Sequence, residues 1–323
     1  MVSVFEKNGF TELNTEYKDL EIYSKDNVGL ISMKKFKDDI KAHRQSGNHL
    51  DYDLMRELKE ALLFFQNESR IHKLIITSSH KVAFSRGAKI EDVLGASEEK
   101  CRDFLSKAQD LLLTLQKFTK PVIAAINGLT LGGGFELSLA CDYRIASSRE
   151  NVVFGFPETS LGLIPAMGGT QNLRRIIGEK QARYIISESI INITSEKAKV
   201  LGIVENIFPP KELINEAFIL ANRKGIGKQF HPEKVKADLS ANTIRKEIIS
   251  FLKNRQLKPD PRKTAAPIAA ALTDFLFTKT DENQYLNGLL YEYEVFCYLQ
   301  QTEDCYEGIQ ALTEERKPFF KGK

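Results

Sequence analysis

The chain has no tryptophan, and its four cysteines (Cys101, Cys141, Cys297, Cys305) include no CxxC pair. A disulfide scaffold or a thiolate zinc site is therefore not expected, and buried reduced thiols in a reducing compartment are. Its five histidines never fall into HxxxH or HExxH spacing, so no metal site is expected. No run of about 18 apolar residues exists, which excludes a transmembrane helix by hydropathy. The N-terminal MVSVFEKNGFTELNTEYKDL lacks the apolar core of a secretory signal and is too acidic for a transit peptide. A cytoplasmic protein with no membrane partner is the expectation. The net charge is only +3 over 323 residues, short of the basic bias of a dedicated nucleic-acid binder.

What is present is a core-forming chain, 42% hydrophobic and long enough for about two domains. Residues 19–33 hold two short apolar runs broken by Lys25-Asp26-Asn27, a hairpin signal. Leu54, Leu58, Leu62 and Phe65 recur at helical spacing in 51–67, and 98–118 is a second amphipathic helix. KLIIT (73–77) and VIAAI after Pro121 read as strands buried on both faces. The fold class is therefore α/β. From about residue 206 helical periodicity takes over, so the expected division is a core of 1–205 and an all-helical region of 206–323.

Charge is segregated in that second region. Residues 223–263 carry 12 Lys/Arg against 4 Asp/Glu, and 281–307 carry 7 acids with no Lys/Arg. Solvated helix faces, a subunit contact or a site for a phosphorylated ligand all suit this pattern.

The chemistry concentrates in GLTLGGGFELSLACDYRIA and the following VVFGFPETSLGLIPAMGGTQ. Gly132-Gly133-Gly134 stands just before a helical pattern, placing exposed N–H groups at a helix N-terminus, where they can hold a developing oxyanion. The same glycines also suit a close-packed turn. Gly87-Ala88, between an aromatic strand end and a helix start in VAFSRGAKIEDV (82–93), is the candidate second donor segment. Glu136 lies about one turn into the glycine-led helix, where an acid also serves as capping chemistry. Glu158, between Pro157 and SLGLIP, is a carboxylate in partly apolar surroundings, which raises its pKa toward neutrality and suits proton transfer. It equally reads as a loop carboxylate capping the next turn.

Together, VAFSRGAKIEDV, KPVIAAINGLTLGGGFELSLACDYRIA, FGFPETSLGLIPAMGGTQNLRRIIG and KAKVLGIVENIFP resemble the crotonase (enoyl-CoA hydratase/isomerase) superfamily in order. Weaker matches extend to NHLD (48–51) and to EDCYEGIQALTEERKPFFKGK at the end. The resemblance implies a superhelix of repeated ββα units followed by helices. It implies that Ala88 and Gly133 are the oxyanion donors, and that Glu136 and Glu158 are the two acid/base glutamates of the hydratase branch. The implied reaction is hydration of a 2-enoyl-CoA thioester, without metal or separate cofactor, coenzyme A being part of the substrate. Isomerisation of the double bond, thioester hydrolysis, or a non-catalytic RNA- or CoA-binding role are the alternatives within the family.

Arg86 and Lys89 depart from the family's small residue and Asp around its AGxD motif, at the rim expected to meet coenzyme A. Phe320 and Lys321 match residues that reach the nucleotide, often on a neighbouring subunit; a frayed basic tail is the other reading. Extra helix between about 228 and 285 resembles the hydratase half of β-oxidation multifunctional enzymes, here expected as a free-standing version. The family implies a homotrimer or homohexamer.

Overall fold

The computed structural model describes residues 3–13, 16–35, 47–89, 96–232, 239–253, 255–260, 262–280 and 284–323. Its strands are β1 (Thr11–Leu13), β2 (Leu20–Lys25), β3 (Val28–Met33), β4 (His49–Leu50), β5 (Lys73–Ser78), β6 (Ala83–Ser85), β7 (Gly87–Ala88), β8 (Val122–Ile126), β9 (Leu129–Leu131), β10 (Tyr143–Ser147), β11 (Val153–Gly155), β12 (Ile193–Thr194) and β13 (Asn206–Phe208). Its α-helices are α1 (Val4–Lys7), α2 (Tyr52–Asn67), α3 (Glu98–Lys117), α4 (Gly133–Ala140), α5 (Gly169–Ile177), α6 (Glu179–Ser187), α7 (Ser195–Val200), α8 (Leu213–Asn222), α9 (Ala241–Lys253), α10 (Pro267–Lys279), α11 (Tyr285–Leu299) and α12 (Glu303–Thr313).

The chain forms two compact units that interleave in sequence. The first comprises Met1–Ala88, Asp110–Phe154 and Ile193–His231; the second comprises Lys89–Gln109, Gly155–Asn192 and Pro232–Lys323. The boundary at 205 expected from the sequence does not coincide with this partition. β13 pairs in parallel with β10, and α8 buries Leu213, Ile214 and Ala217 in the sheet's core, so both belong to the first unit.

The first unit is built on a seven-stranded sheet of order β1-β2-β3-β5-β8-β10-β13. β2 and β3 form the expected hairpin, with Asp26 at φ +51° in the left-handed conformation that Asp tolerates. From β3 onward the pairings are parallel, and β3, β8 and β10 are buried along their whole length. This is why their sequences read as continuous apolar runs instead of alternating ones. Asp51 caps α2 by accepting from Leu54 N–H at 3.0 Å, and Leu54, Leu58, Leu62 and Phe65 form its buried stripe. A four-stranded sheet (β12-β11-β9-β6) and a two-stranded one (β4-β7) complete the strands.

In the second unit, α5, α6 and α9 to α11 are joined by charged pairs as well as apolar contact. Arg102 on α3 makes a two-pronged contact with Glu294 on α11, at 2.9 and 2.8 Å. All four cysteines are buried and free. Among the described residues no helix is long and apolar enough to cross a membrane.

Candidate active site

In the first unit, β7 carries Gly87 and Ala88 and pairs in parallel with β4, His49 opposite Gly87 and Leu50 opposite Ala88. Gly87 takes φ +82°, and a Cβ there would stand 2.7 Å from Gly133 N and 2.8 Å from Leu131 O. Only glycine meets both demands. Gly133 is the first residue of α4, so its N–H has no acceptor within the helix. A Cβ on Gly133 would lie 3.5 Å from Ala88 N, which places the two expected donor residues side by side.

A buried polar frame holds this junction. Asn48, fully buried, donates from Nδ2 to Ser78 Oγ (2.7 Å) and to Phe84 O (2.9 Å), and its Oδ1 accepts from Lys35 N (2.8 Å). Ser85 Oγ donates to Asn48 O (2.7 Å) and accepts from Gly87 N (3.2 Å). Sequence reasoning missed Asn48 and Ser85 as site residues. The only signal was the weak NHLD match, because a residue that orients another residue's backbone carries no pattern of its own.

Glu136 sits in the first turn of α4, 3% exposed, with its N–H donating to Gly132 O at 2.9 Å. Its helix is buried from Gly134 to Ala140, and the neighbouring Phe135 packs on Phe154 with ring centroids 5.5 Å apart. Arg86 is half-buried, and its Nε is shielded with no acceptor among the described residues; burial holds the guanidinium below its usual range.

Lys89, Glu158, Phe320 and Lys321 belong to the second unit. Lys89 is half-buried, and residues 90–93 of the donor motif lie outside the described residues. Glu158 opens a 3₁₀ turn, Glu158–Leu161, directly after Pro157. The residue keeps some exposed surface, but its Oε2 is shielded and has no hydrogen-bond partner among the described residues. Loss of hydration pushes this carboxyl up to about 8, opposed only by a bond from its own backbone. The adjoining Thr159 is anchored at both ends: its Oγ1 donates to Ile186 O, and its carbonyl accepts from Ala266 N, each at 2.8 Å.

The C-terminal tail turns back on α12. Asp304 accepts from Lys321 N (2.7 Å) and Gly322 N (3.0 Å), Phe320 is buried, and Lys321 Nζ lies 3.4 Å from Glu303. The first unit thus holds Arg86, the two expected donor residues Ala88 and Gly133, and the buried Glu136 one helical turn into α4. In the second unit, the surroundings of Glu158 favour its protonated form at neutral pH. Among the described residues no group of three or more His, Cys, Asp or Glu could hold a metal ion.

Residues 38–266 match the family profile described as enoyl-CoA hydratase/isomerase. The crotonyl-CoA hydratase of Syntrophomonas wolfei is 37% identical over 176 residues, covering 54% of this chain and 66% of that protein. The 2,3-dehydroadipyl-CoA hydratase of Escherichia coli is 29% identical over 276 residues, 85% of this chain and 91% of the relative. A crystal structure of enoyl-CoA hydratase from Bacillus anthracis shares the fold with a TM-score of 0.58 at 29% identity, covering 95% of this chain and all of that one.

Proposed function

Because the chain belongs to the enoyl-CoA hydratase/isomerase family, we propose that it is a 2-enoyl-CoA hydratase acting on acyl-CoA thioesters. The observation that carries this reading is the presence of two carboxyl groups in contrasting settings. Glu136 stands on the helix that begins at a donor residue, and Glu158 has a shielded Oε2 and a raised pKa.

In this scheme the Ala88 and Gly133 N–H groups hold the thioester oxygen as it gains enolate character. One such donor is worth about 2.7–4 kcal/mol of transition-state stabilisation. Glu136 takes a proton from the water that attacks Cβ, and protonated Glu158 gives a proton to Cα. The thioester carbonyl takes up the electron pair of the double bond in between. Arg86, Lys89, Phe320 and Lys321 are assigned to the coenzyme A portion, and the unpaired Arg86 Nε supports that assignment. A homotrimer or homohexamer, as the resemblance implies, is part of the same proposal.

The test is hydration of enoyl-CoA thioesters from short to long chain by the purified protein, beside Glu136→Gln and Glu158→Gln. Each variant is expected to lose most activity, because the two groups act as a unit. A wild-type protein that hydrates none of these thioesters ends the proposal.

A further inference from the structure

The segment that follows Glu158 is clamped from three directions, all within the second unit. Gly162, at φ +75°, lies so close to α12 that a Cβ there would stand 2.6 Å from Cys305 N. Gln109 on α3 donates from Nε2 to Ala166 O (3.0 Å) and to Leu289 O on α11 (2.9 Å). The third contact is made by Glu292, fully buried on α11.

The Glu292 carboxylate receives Gly168 N–H on Oε2 at 2.7 Å and Thr170 N–H on Oε1 at 2.9 Å, with the Thr170 hydroxyl also on Oε1. These are the amides at the start of α5, and the N-cap Gly168 has no side chain to cap them. An N-cap is ordinarily local; here it comes from a residue 124 positions later. Among the described residues no Lys or Arg forms an ion pair with Glu292. Burial outweighs the α5 donors and leaves its carboxyl raised, to about 7. When ionised, its charge faces the α5 N-terminus instead of a counter-ion.

We propose that Glu292 is a positioning residue: by capping α5 it fixes the far end of the segment 159–168, and so sets where the Glu158 carboxyl stands. This rests on the hydratase reading, in which Glu158 must reach Cα. The near end of the segment is already tied, through Thr159 and through Leu163 N–H on Glu158 O at 2.8 Å. Releasing the far end leaves the Thr159, Gly162 and Ala166 contacts in place but slackens the segment between them, and a misplacement of about 1 Å in a reacting group can cost about a hundred-fold in rate.

The experiment uses the full chain carrying Glu292→Gln, which keeps the shape but offers one acceptor atom in place of two. Hydration kcat is expected to fall on the order of ten- to a hundred-fold with KM changed by about two-fold or less, the pattern of a lost transition-state placement. Exchange of the Cα proton of a saturated acyl-CoA in D2O should fall in parallel. Binding of acetoacetyl-CoA as its enolate, which reads the oxyanion donors, should not change. Amide deuterium uptake should rise in the peptide spanning 159–172 and stay unchanged in α12. Glu292→Asp, which retains both acceptors on a shorter arm, should recover part of the rate, and it provides the same readings if Glu292→Gln does not fold.

Unchanged protection at 159–172, or a wild-type kcat in a folded Glu292→Gln, overturns the proposal. So does a loss of protection spread evenly over α10 to α12, which marks general destabilisation. A wild-type chain inert toward every enoyl-CoA defeats the hydratase reading alone, and deuterium uptake at 159–172 still decides whether Glu292 fixes the Glu158 segment.

Discussion

A Cβ on Gly87 would stand 2.7 Å from the amide nitrogen of Gly133. The two expected oxyanion donors therefore come from segments in backbone contact, and their separation is set by the absence of a side chain. Gly87→Ala meets that contact and a φ of +82° together. Its activity in enoyl-CoA hydration should fall by about a hundred-fold or more, the loss that follows removal of one donor. Steady-state assay of the folded variant checks this; activity within two-fold of wild type, roughly 0.4 kcal/mol, removes Gly87 from the oxyanion frame.

The Glu158 carboxyl is pushed up to about 8. In the hydration direction it must carry a proton, so kcat/KM for hydration should be sustained below pH 8 and fall as pH rises through it. Dehydration of the 3-hydroxyacyl-CoA needs the deprotonated form and should rise over the same interval. Stability follows with a definite sign. The folded value lies above the unfolded one of about 4.3, so stability is lost as pH rises between them and is flat above about 8. Glu158→Gln should melt close to wild type near pH 4 and above it at pH 9. A melting difference independent of pH contradicts the assignment.

The readable parts of the sequence were those whose burial has a local period. The α2 stripe, the all-buried β3 and β8, and β5, buried after Lys73, announce themselves because each residue's neighbours share its environment. The glycine–glutamate block was readable for another reason: it carried the family resemblance, which the match over 38–266 bears out. The interleaving of the two units was not readable: β13 has three residues, and nothing in them says that they pair with β10. Nor did RKPFFKGK announce that Asp304 would receive the Lys321 and Gly322 amides, because a carboxylate that binds backbone leaves no mark on the sequence it binds.

Asp142 offers a stability test in the first unit, away from the donors. Its carboxylate accepts from Val122 N (2.9 Å) and Gln229 N (2.8 Å) and meets Lys228 Nζ at 3.2 Å, with both side chains almost fully buried. Asp142→Ala strands two amides and leaves the buried Lys228 ammonium with no counter-ion, held only by the Leu115 carbonyl at 3.3 Å. A destabilisation of roughly 3–5 kcal/mol is expected in denaturant unfolding. Replacing Lys228 by Met in the same background should recover part of it, because the buried charge without a counter-ion is then gone. Failure of the double variant to recover stability points to the amide bonds as the larger part.

Asn48 joins the fold to the donor pair, and its two roles can be separated. Its side chain bonds Ser78, Phe84 and Lys35, while its backbone takes φ +53°, a conformation costing a residue with a Cβ about 1–2 kcal/mol. Asn48→Ala loses the bonds and keeps that cost; Asn48→Gly loses the bonds and is relieved of it. Both should be less stable than wild type, with the glycine variant the more stable of the two by about 1 kcal/mol. Both should lose hydration activity alike, because each loses the side-chain bond to Phe84 O that places neighbouring Ser85, whose bonds to the residue-48 carbonyl and Gly87 N remain. An alanine variant as active as wild type shows that β4–β7 pairing and the Ser85 bonds hold the donors without the Asn48 side chain.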